Sequence, residues 1–256
     1  MVDSNKNQAM PDFYFFILKN YMEEEMNIKI LDTIDSTNEY LKRQKDNKEF
    51  DVVMAHEQTK GKGTRGRVWL STEGILMFSI VIKEDKNISM EEYTKLPLVT
   101  GMALLSALED IEKLPYMFKW TNDIYLYDKK LSGILTEKIG EDFIVGIGVN
   151  LNIMEFGDLN AISLKVASKK DFDKEECLKV IVNKIKEYVY RFYRGEWNLI
   201  LGEINDRNYL KNKKIKFIGV DREYEGIVTG INNNGELILE EKGISYNLRI
   251  GEVSTK

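Results

Sequence analysis

The stretch Thr59–Trp69, TKGKGTRGRVW, constrains the fold more than any other part of the chain. Its glycines at 61, 63 and 66 spell G-x-G-x-x-G, the spacing that in a doubly wound sheet turns a strand into a helix and sets a pyrophosphate on the helix N-terminus. The strand is there, in DVVMAHE, and Glu84 even lies near the acidic spacing that such a fold uses. The helix is not. Beyond Gly66 come Arg67, Val68 and Trp69, and the run VWLSTEGILMFSIVI reads as a strand, a turn at Thr72-Glu73-Gly74 and a buried strand over Ile75–Ile82. The glycines therefore belong to a loop that brings backbone N–H groups close to a ligand, with Lys60, Lys62, Arg65 and Arg67 facing that ligand's charge. Such a loop alone is equally a solvated basic hairpin tip. Trp69 at its end, an aromatic suited to stacking on a purine, tips the reading towards a ligand.

Around this loop the periodicities predict an α+β architecture. MNIKILDTI, from Met26, is a strand, and STNEYLKR is a short helix capped by Ser36 or Thr37. Ser89 and Glu92 form a capping box ahead of a helical face of Leu98, Met102 and Leu105, in spite of Pro97. From Met117 to Leu151 the pattern is β, with turns at Asp128-Lys129 and Gly140-Glu141-Asp142. Asp173 and Glu176 open a second amphipathic helix that buries Leu178, Ile181, Val182, Ile185 and Val189. Past Asn208, short strands punctuated by GVDREYEG, NNNG and EKG predict a small β-barrel. The expected division is an extension over 1–25, a main domain over 26–205 and the barrel over 206–256. The extension, polar and then apolar and acidic, is either a frayed end, a short helix or a partner-docking segment.

Composition narrows the chemistry. A formal net charge of -5 beside one strongly basic loop argues against general nucleic-acid binding. Cys177 is the only cysteine and His56 the only histidine, which removes disulfide frameworks, thiolate zinc sites and most histidine-based catalysis. What is left is lysine, arginine, aspartate and backbone amides. No apolar run is long enough to span a membrane and no secretory leader pattern opens the chain, so a cytoplasmic protein is expected.

In order and spacing, STNEYLK, EQTKGKGTRGRVW, KWTNDIYLYDKKLSGILTE and VGIGVNLN resemble biotin protein ligases. The likeness runs from about Ile28 to the end, where GEVSTK is similar to the close of that family's SH3-like domain. A chain of 256 residues is too short to hold the N-terminal winged helix of the regulatory members as well, so it resembles the ligase-only class. The resemblance implies a mixed β-sheet packed with helices plus a C-terminal SH3-like barrel. It implies a two-step reaction too: biotin's carboxylate joins the α-phosphate of ATP, pyrophosphate leaves, and an acceptor lysine displaces AMP from biotinyl-5'-AMP. The acceptor is a biotin carboxyl carrier protein or domain, as in acetyl-CoA carboxylase. Mg2+ enters with ATP, held by phosphate oxygens and water.

Carried onto this sequence, Lys130 contacts the biotin carboxyl and the α-phosphate, and Arg65 and Arg67 grip the triphosphate. Asp123 orients, and possibly deprotonates, the acceptor lysine; Lys119 either salt-bridges to Asp123 or helps with phosphate. Ser36, Thr37, Asn38 and Gln58 satisfy the ureido ring, with Gly61, Lys62, Gly63, Thr64, Gly133, Gly146 and Gly148 giving backbone approach. Trp69, Asn122 and Asn150 complete the nucleotide site. This chain departs from the family's usual G-R-G-R loop at Lys62 and Thr64, and has Thr121 where proline is common. The alternatives are a lipoate-protein ligase, disfavoured by the polar set Ser36, Thr37 and Gln58; a non-catalytic biotin sensor; and a nucleic-acid binder using its barrel. Exposed sheet edges leave room for a homodimer or an acceptor docked by β-augmentation.

Overall fold

The computed structural model describes residues 26–220 and 222–255, so the expected 1–25 extension lies outside the described residues. The main sheet has seven strands in the order β1-β2-β3-β7-β6-β5-β4: β1 (Ile28–Ile34), β2 (Val52–Gln58), β3 (Ile75–Lys83), β4 (Tyr116–Lys119), β5 (Asp123–Leu126), β6 (Lys129–Ile139) and β7 (Asp142–Asn150). Only β1 and β2 run parallel; the remaining neighbours are antiparallel. This is the mixed sheet that the sequence predicts.

Alternation gives the sheet two different faces. Even positions of β3, namely Leu76, Phe78, Ile80 and Ile82, join Val145, Ile147 and Val149 of β7 under the helices α2 (Leu96–Ile111) and α4 (Lys174–Tyr193). The opposite face carries the short helix α1 (Thr37–Lys42), whose Leu41 packs on Val53, Val81 and Ile144. The candidate site lies on this second, sparsely covered face.

Several local expectations change. No strand forms over Val68–Ser71; Val68 is 86% exposed and makes only an isolated bridge to Lys62. The box of Ser89 and Glu92 does not cap a helix by its side chains. A 3-10 turn over Glu92–Lys95 leads into α2, and Pro97 sits in its first turn, where a missing N–H costs nothing. Ser36 occupies the cap position of α1 without a side-chain hydrogen bond. Asp173, in contrast, caps α4 as predicted, accepting from Glu176 N at 2.8 Å. Two short helices, α3 (Leu164–Ser168) and α5 (Trp197–Asp206), were not foreseen.

At the C-terminus, β8 (Lys214–Gly219), β9 (Glu223–Ile231), β10 (Leu237–Glu241), β11 (Ile244–Leu248) and β12 (Gly251–Thr255) form an antiparallel sheet in the order β11-β10-β9-β8-β12. It is consistent with an SH3-like sheet, but β11 and β12 do not pair, so no hydrogen-bonded barrel closes. Among the described residues no helix is long and apolar enough to cross a membrane.

Because Asp173 is the cap that starts the longest helix, Asp173→Ala is expected to cost about 1 kcal/mol. Urea unfolding should show a lower midpoint at an unchanged slope; a changed slope would mean that more than the cap was lost.

Candidate functional site

Register alone assembles the site. Antiparallel pairing aligns Lys119, Asp123, Gly133, Gly148, Met77 and Ala55 in one row across six strands. The adjacent row of the same face holds Leu135, Gly146, Ser79 and Val53. Motifs up to a hundred residues apart thus meet on one surface because each occupies a fixed position of its strand.

Two glycines are required for what lies on that surface. A Cβ on Gly146 would collide with the Asn38 amide, and one on Gly148 with the Trp69 indole. The room that the sequence reserves for ligand is, in this structure, filled by the chain's own side chains. Trp69 also reaches Gly133, and its indole Nε1–H is buried without a partner. Gly61, by comparison, packs against Ser71 and does not line the pocket.

Lys130 reaches this face through a bulge. Ile124 pairs with Ser132 but Tyr125 with Lys130, leaving Leu131 as the extra residue. Strict alternation from Gly133 would turn Leu131 outward and Lys130 inward; with the bulge, Leu131 enters the helix-side core and Lys130 joins the open face. Its ammonium lies 2.7 Å from Asp123 and 5.3 Å from the centroid of the Trp69 ring. Asp123 is thus paired with Lys130, and Lys119 forms no salt bridge to it among the described residues. Lys119 donates instead to the Tyr125 hydroxyl at 3.1 Å and lies over that ring at 4.8 Å. Burial pushes the Lys119 ammonium below the usual lysine range, against the pull of Asp123.

Two clefts meet here. The first encloses about 490 Å3 including its mouth, with Ser36, Thr37, Asn38, Gln58 and Lys130 among its walls. Its polar wall is already cross-linked: Gln58 Oε1 accepts from Thr37 N at 2.8 Å and from Thr37 Oγ1 at 3.1 Å, while the Ser79 hydroxyl lies 2.7 Å from Thr37 Oγ1 and 2.5 Å from Asn38 Oδ1. The second cleft, on the far side of Thr64 and Asn122, is lined by Arg65, Arg67, Lys119, Asp123 and Glu252. Arg67 and Arg65 lie 3.1 and 3.5 Å from the Glu252 carboxylate on β12, and Arg65 also donates to the Gly251 carbonyl. These pairs are largely exposed and hold weakly.

Of the remaining residues singled out above, Asn122 lines both clefts and donates to the Ile134 carbonyl at 2.7 Å. Asn150 lines neither; its buried amide donates to the carbonyls of Ile162 at 3.1 Å and Lys130 at 3.4 Å, bracing the strand that carries Lys130. The peptide between Trp120 and Thr121 is cis. Sequence reasoning missed Ser79, whose signal was a lone hydroxyl in the otherwise apolar ILMFSIVI. It also missed Glu39, Glu137, Tyr125 and Glu252, which lie within the matching stretches but have no side-chain chemistry that marks them out there. His56 stands apart, in an acid-rimmed hollow with Asp32, Glu57 and Glu73.

The Biotin/lipoate A/B protein ligase family matches residues 30–153. The bifunctional ligase/repressor BirA of Escherichia coli is 30% identical over 241 residues, covering 90% of this chain and 74% of that protein. The chain belongs to the biotin protein ligases of this family. The biotin--[acetyl-CoA-carboxylase] ligase of Mycobacterium tuberculosis is 25% identical, covering 79% of this chain and 77% of that one. Among solved structures, biotin protein ligase from Aquifex aeolicus in complex with biotin and ATP aligns with a TM-score of 0.83 at 31% identity, covering 91% of this chain and 99% of its own. Family membership thus extends over both sheets, since these alignments run well past the family's matched segment.

The glycine floor can be tested directly. Gly148→Ala is expected to displace Trp69, shifting its fluorescence and weakening ligand binding at least about tenfold, while circular dichroism stays native. Unaltered fluorescence and binding would show that the indole does not rest there.

Proposed function

We propose that this chain activates biotin with Mg-ATP to biotinyl-5'-AMP and then transfers the biotinyl group to a lysine of a biotin carboxyl carrier protein or domain. The observation that carries the reading is the junction of the two clefts at Lys130 and Asp123: a pocket walled by neutral hydrogen-bonding groups opens onto a cleft lined by arginines and a lysine. The Aquifex aeolicus relative bound to biotin and ATP supports the assignment of the two ligands.

In the first step a carboxylate oxygen of biotin attacks the α-phosphorus and pyrophosphate departs, so an anion must approach a polyanion. Lys130, swinging from Asp123 to the bridging oxygens, supplies the positive charge at the point where it develops. Arg65 and Arg67 exchange the weak contact with Glu252 for phosphate oxygens, which a guanidinium fork holds in two bonds. Lys119, on the same cleft as the two arginines, contributes a further cation to the phosphates. No group of three or more His, Cys, Asp or Glu among the described residues is placed to hold a metal, so Mg2+ is assigned to the nucleotide as part of the substrate.

In the second step the acceptor amine attacks the acyl carbon and AMP leaves. Asp123, freed once Lys130 turns to the phosphate, is the nearest carboxylate to receive or orient that amine. The ureido ring of biotin is assigned to the wall of Ser36, Thr37, Asn38 and Gln58, whose donors and acceptors can exchange internal hydrogen bonds for the ring's N–H and C=O groups. A lipoyl tail carries no ureido donors or acceptor for that wall to pair with. The catalytic unit is assigned to 26–205 and the SH3-like unit to 206–256, with a cytoplasmic carboxylase as the setting.

Pyrophosphate release with Mg-ATP and either biotin or lipoate tests the reading; a biotin-only signal with the acyl-adenylate seen by mass is expected, and a lipoate-only signal or none overturns it. Lys130→Ala is expected to slow adenylate formation about a hundred- to a thousandfold while biotin still binds, and near-normal release would remove Lys130 from its role. Thr64 stands between the clefts without a charge to cover the intermediate, so Thr64→Arg should slow the escape of biotinyl-5'-AMP. Equal release rates from the two proteins would dismiss that account of Thr64.

A further inference from the structure

Away from the first cleft the glycine loop is held by Arg65 and Arg67 to Glu252 and by Trp69 seated on Gly148. Its own hydrogen bonds, Gly63 N to Arg67 O at 2.7 Å and Trp69 N to Gly61 O at 3.1 Å, shape it internally, and those of Thr59 and Lys60 to Ile34 O and Asp35 O fix only its base. Over the first cleft one side-chain tether stands out. Lys62 Nζ lies 2.7 Å from Glu39 Oε1, on the outer turn of α1.

Glu39 is itself braced. The same Oε1 lies 3.0 Å from Lys42 Nζ, Lys42 lies 2.6 Å from Glu137 Oε1, and Glu137 Oε2 accepts from Asn38 Nδ2 at 2.8 Å. The hydrogen bonds from Lys62 and then Lys42 hold the Glu39 carboxyl below the usual range, so it is ionised at neutral pH. The relay therefore runs Lys62–Glu39–Lys42–Glu137–Asn38, from the loop to an amide that lies on Gly146 in the wall of the pocket. Its two lysines and two glutamates balance, and the inner members are only 18% and 29% exposed at the side chain, where water screens the pairs less than on an open surface.

We infer that Glu39 is a positioning residue: by holding Lys62 it docks the glycine loop over the first cleft, and so sets how long the activated intermediate is retained. Lys62, Gly63 and Thr64 all line that cleft, so a loop released from Glu39 opens the wall that they form. Lys62 and Lys42 share a single carboxylate oxygen, Glu39 Oε1. The consequence for the intermediate rests on the proposed function; the docking of the loop does not.

Two measurements test it separately. In the ligand-free protein, trypsin should cut the loop at Arg65 or Arg67 faster in Glu39→Gln than in the wild type, and Glu39→Asp should restore most of the protection. With biotin and Mg-ATP, Glu39→Gln and Lys62→Met should each speed release of biotinyl-5'-AMP about 3- to 10-fold. The double variant should be no faster than the faster single, because both remove one interaction. Raising salt should speed release from the wild type by a larger factor than from Glu39→Gln. Wild-type trypsin and release rates in Glu39→Gln, or single effects that multiply in the double variant, would overturn the inference. A wild type that makes no adenylate would overturn the functional reading instead, and the trypsin comparison would still decide the tether.

Discussion

Bare backbone on one face of a sheet is the constraint on which this structure depends. A seven-stranded sheet normally covers both faces with side chains, and a ligand pocket on such a face needs positions that carry none. Gly146 and Gly148 supply them on β7, with Gly133 as the cross-strand partner of Gly148 on β6. Asn38 and Trp69, delivered from α1 and from the glycine loop, lie where Cβ atoms would have stood. The face therefore gains depth without losing the hydrogen-bonded ladder beneath it. The helices on the other face, packed on Phe78, Ile80 and Val145, keep that ladder flat against a fully buried core.

Electrostatics follow the same division. Every cation that the proposed chemistry calls on has a partner in the described structure: Lys130 has Asp123, Arg67 and Arg65 have Glu252, Lys62 has Glu39, and Lys119 has a phenol. Polyanionic substrate can displace the exposed pairs cheaply, because exposed ion pairs contribute about 0 to 1 kcal/mol. The Lys130–Asp123 pair is less exposed, at 32% and 20%, and separating it frees a cation for the phosphate and an anion for the amine at once. Two roles assigned to two residues thus become one exchange of partners.

Much of this was legible in the sequence, and the residues show why. Missing helix signals after Gly66 rule out a doubly wound sheet, and the turns at Asp128-Lys129 and Gly140-Glu141 mark the hairpins that build the open face. Motif residues were legible because their chemistry is unusual for their place, as with cations among glycines; the Ser79 hydroxyl in an apolar strand carried a similar signal that went unread. The bulge at Leu131 was not, since nothing in KKLSG distinguishes a pairing slip from strict alternation. Nor were Glu39, Glu137 and Glu252, each an ordinary surface glutamate until folding sets it beside a lysine or an arginine. The strand predicted at Val68 failed because β-propensity without a neighbouring edge to pair with forms no strand.

The C-terminal sheet is more closely tied to the rest than its compositional boundary suggests. Phe217, Val228, Ile231, Leu237, Leu239 and Leu248 belong to the same buried cluster as Leu98 and Trp197. The Trp120 indole donates to the Gly235 carbonyl at 2.9 Å and the Trp197 indole to the Asn233 carbonyl at 2.7 Å, so the turn between β9 and β10 satisfies two indole donors of the main body. Trp120 immediately precedes Thr121, Asn122 and Asp123, and β12 offers Glu252 to the arginines of the glycine loop. The C-terminal sheet thus contacts both the strand row that carries Lys119 and Asp123, through Trp120, and the glycine loop, through Glu252.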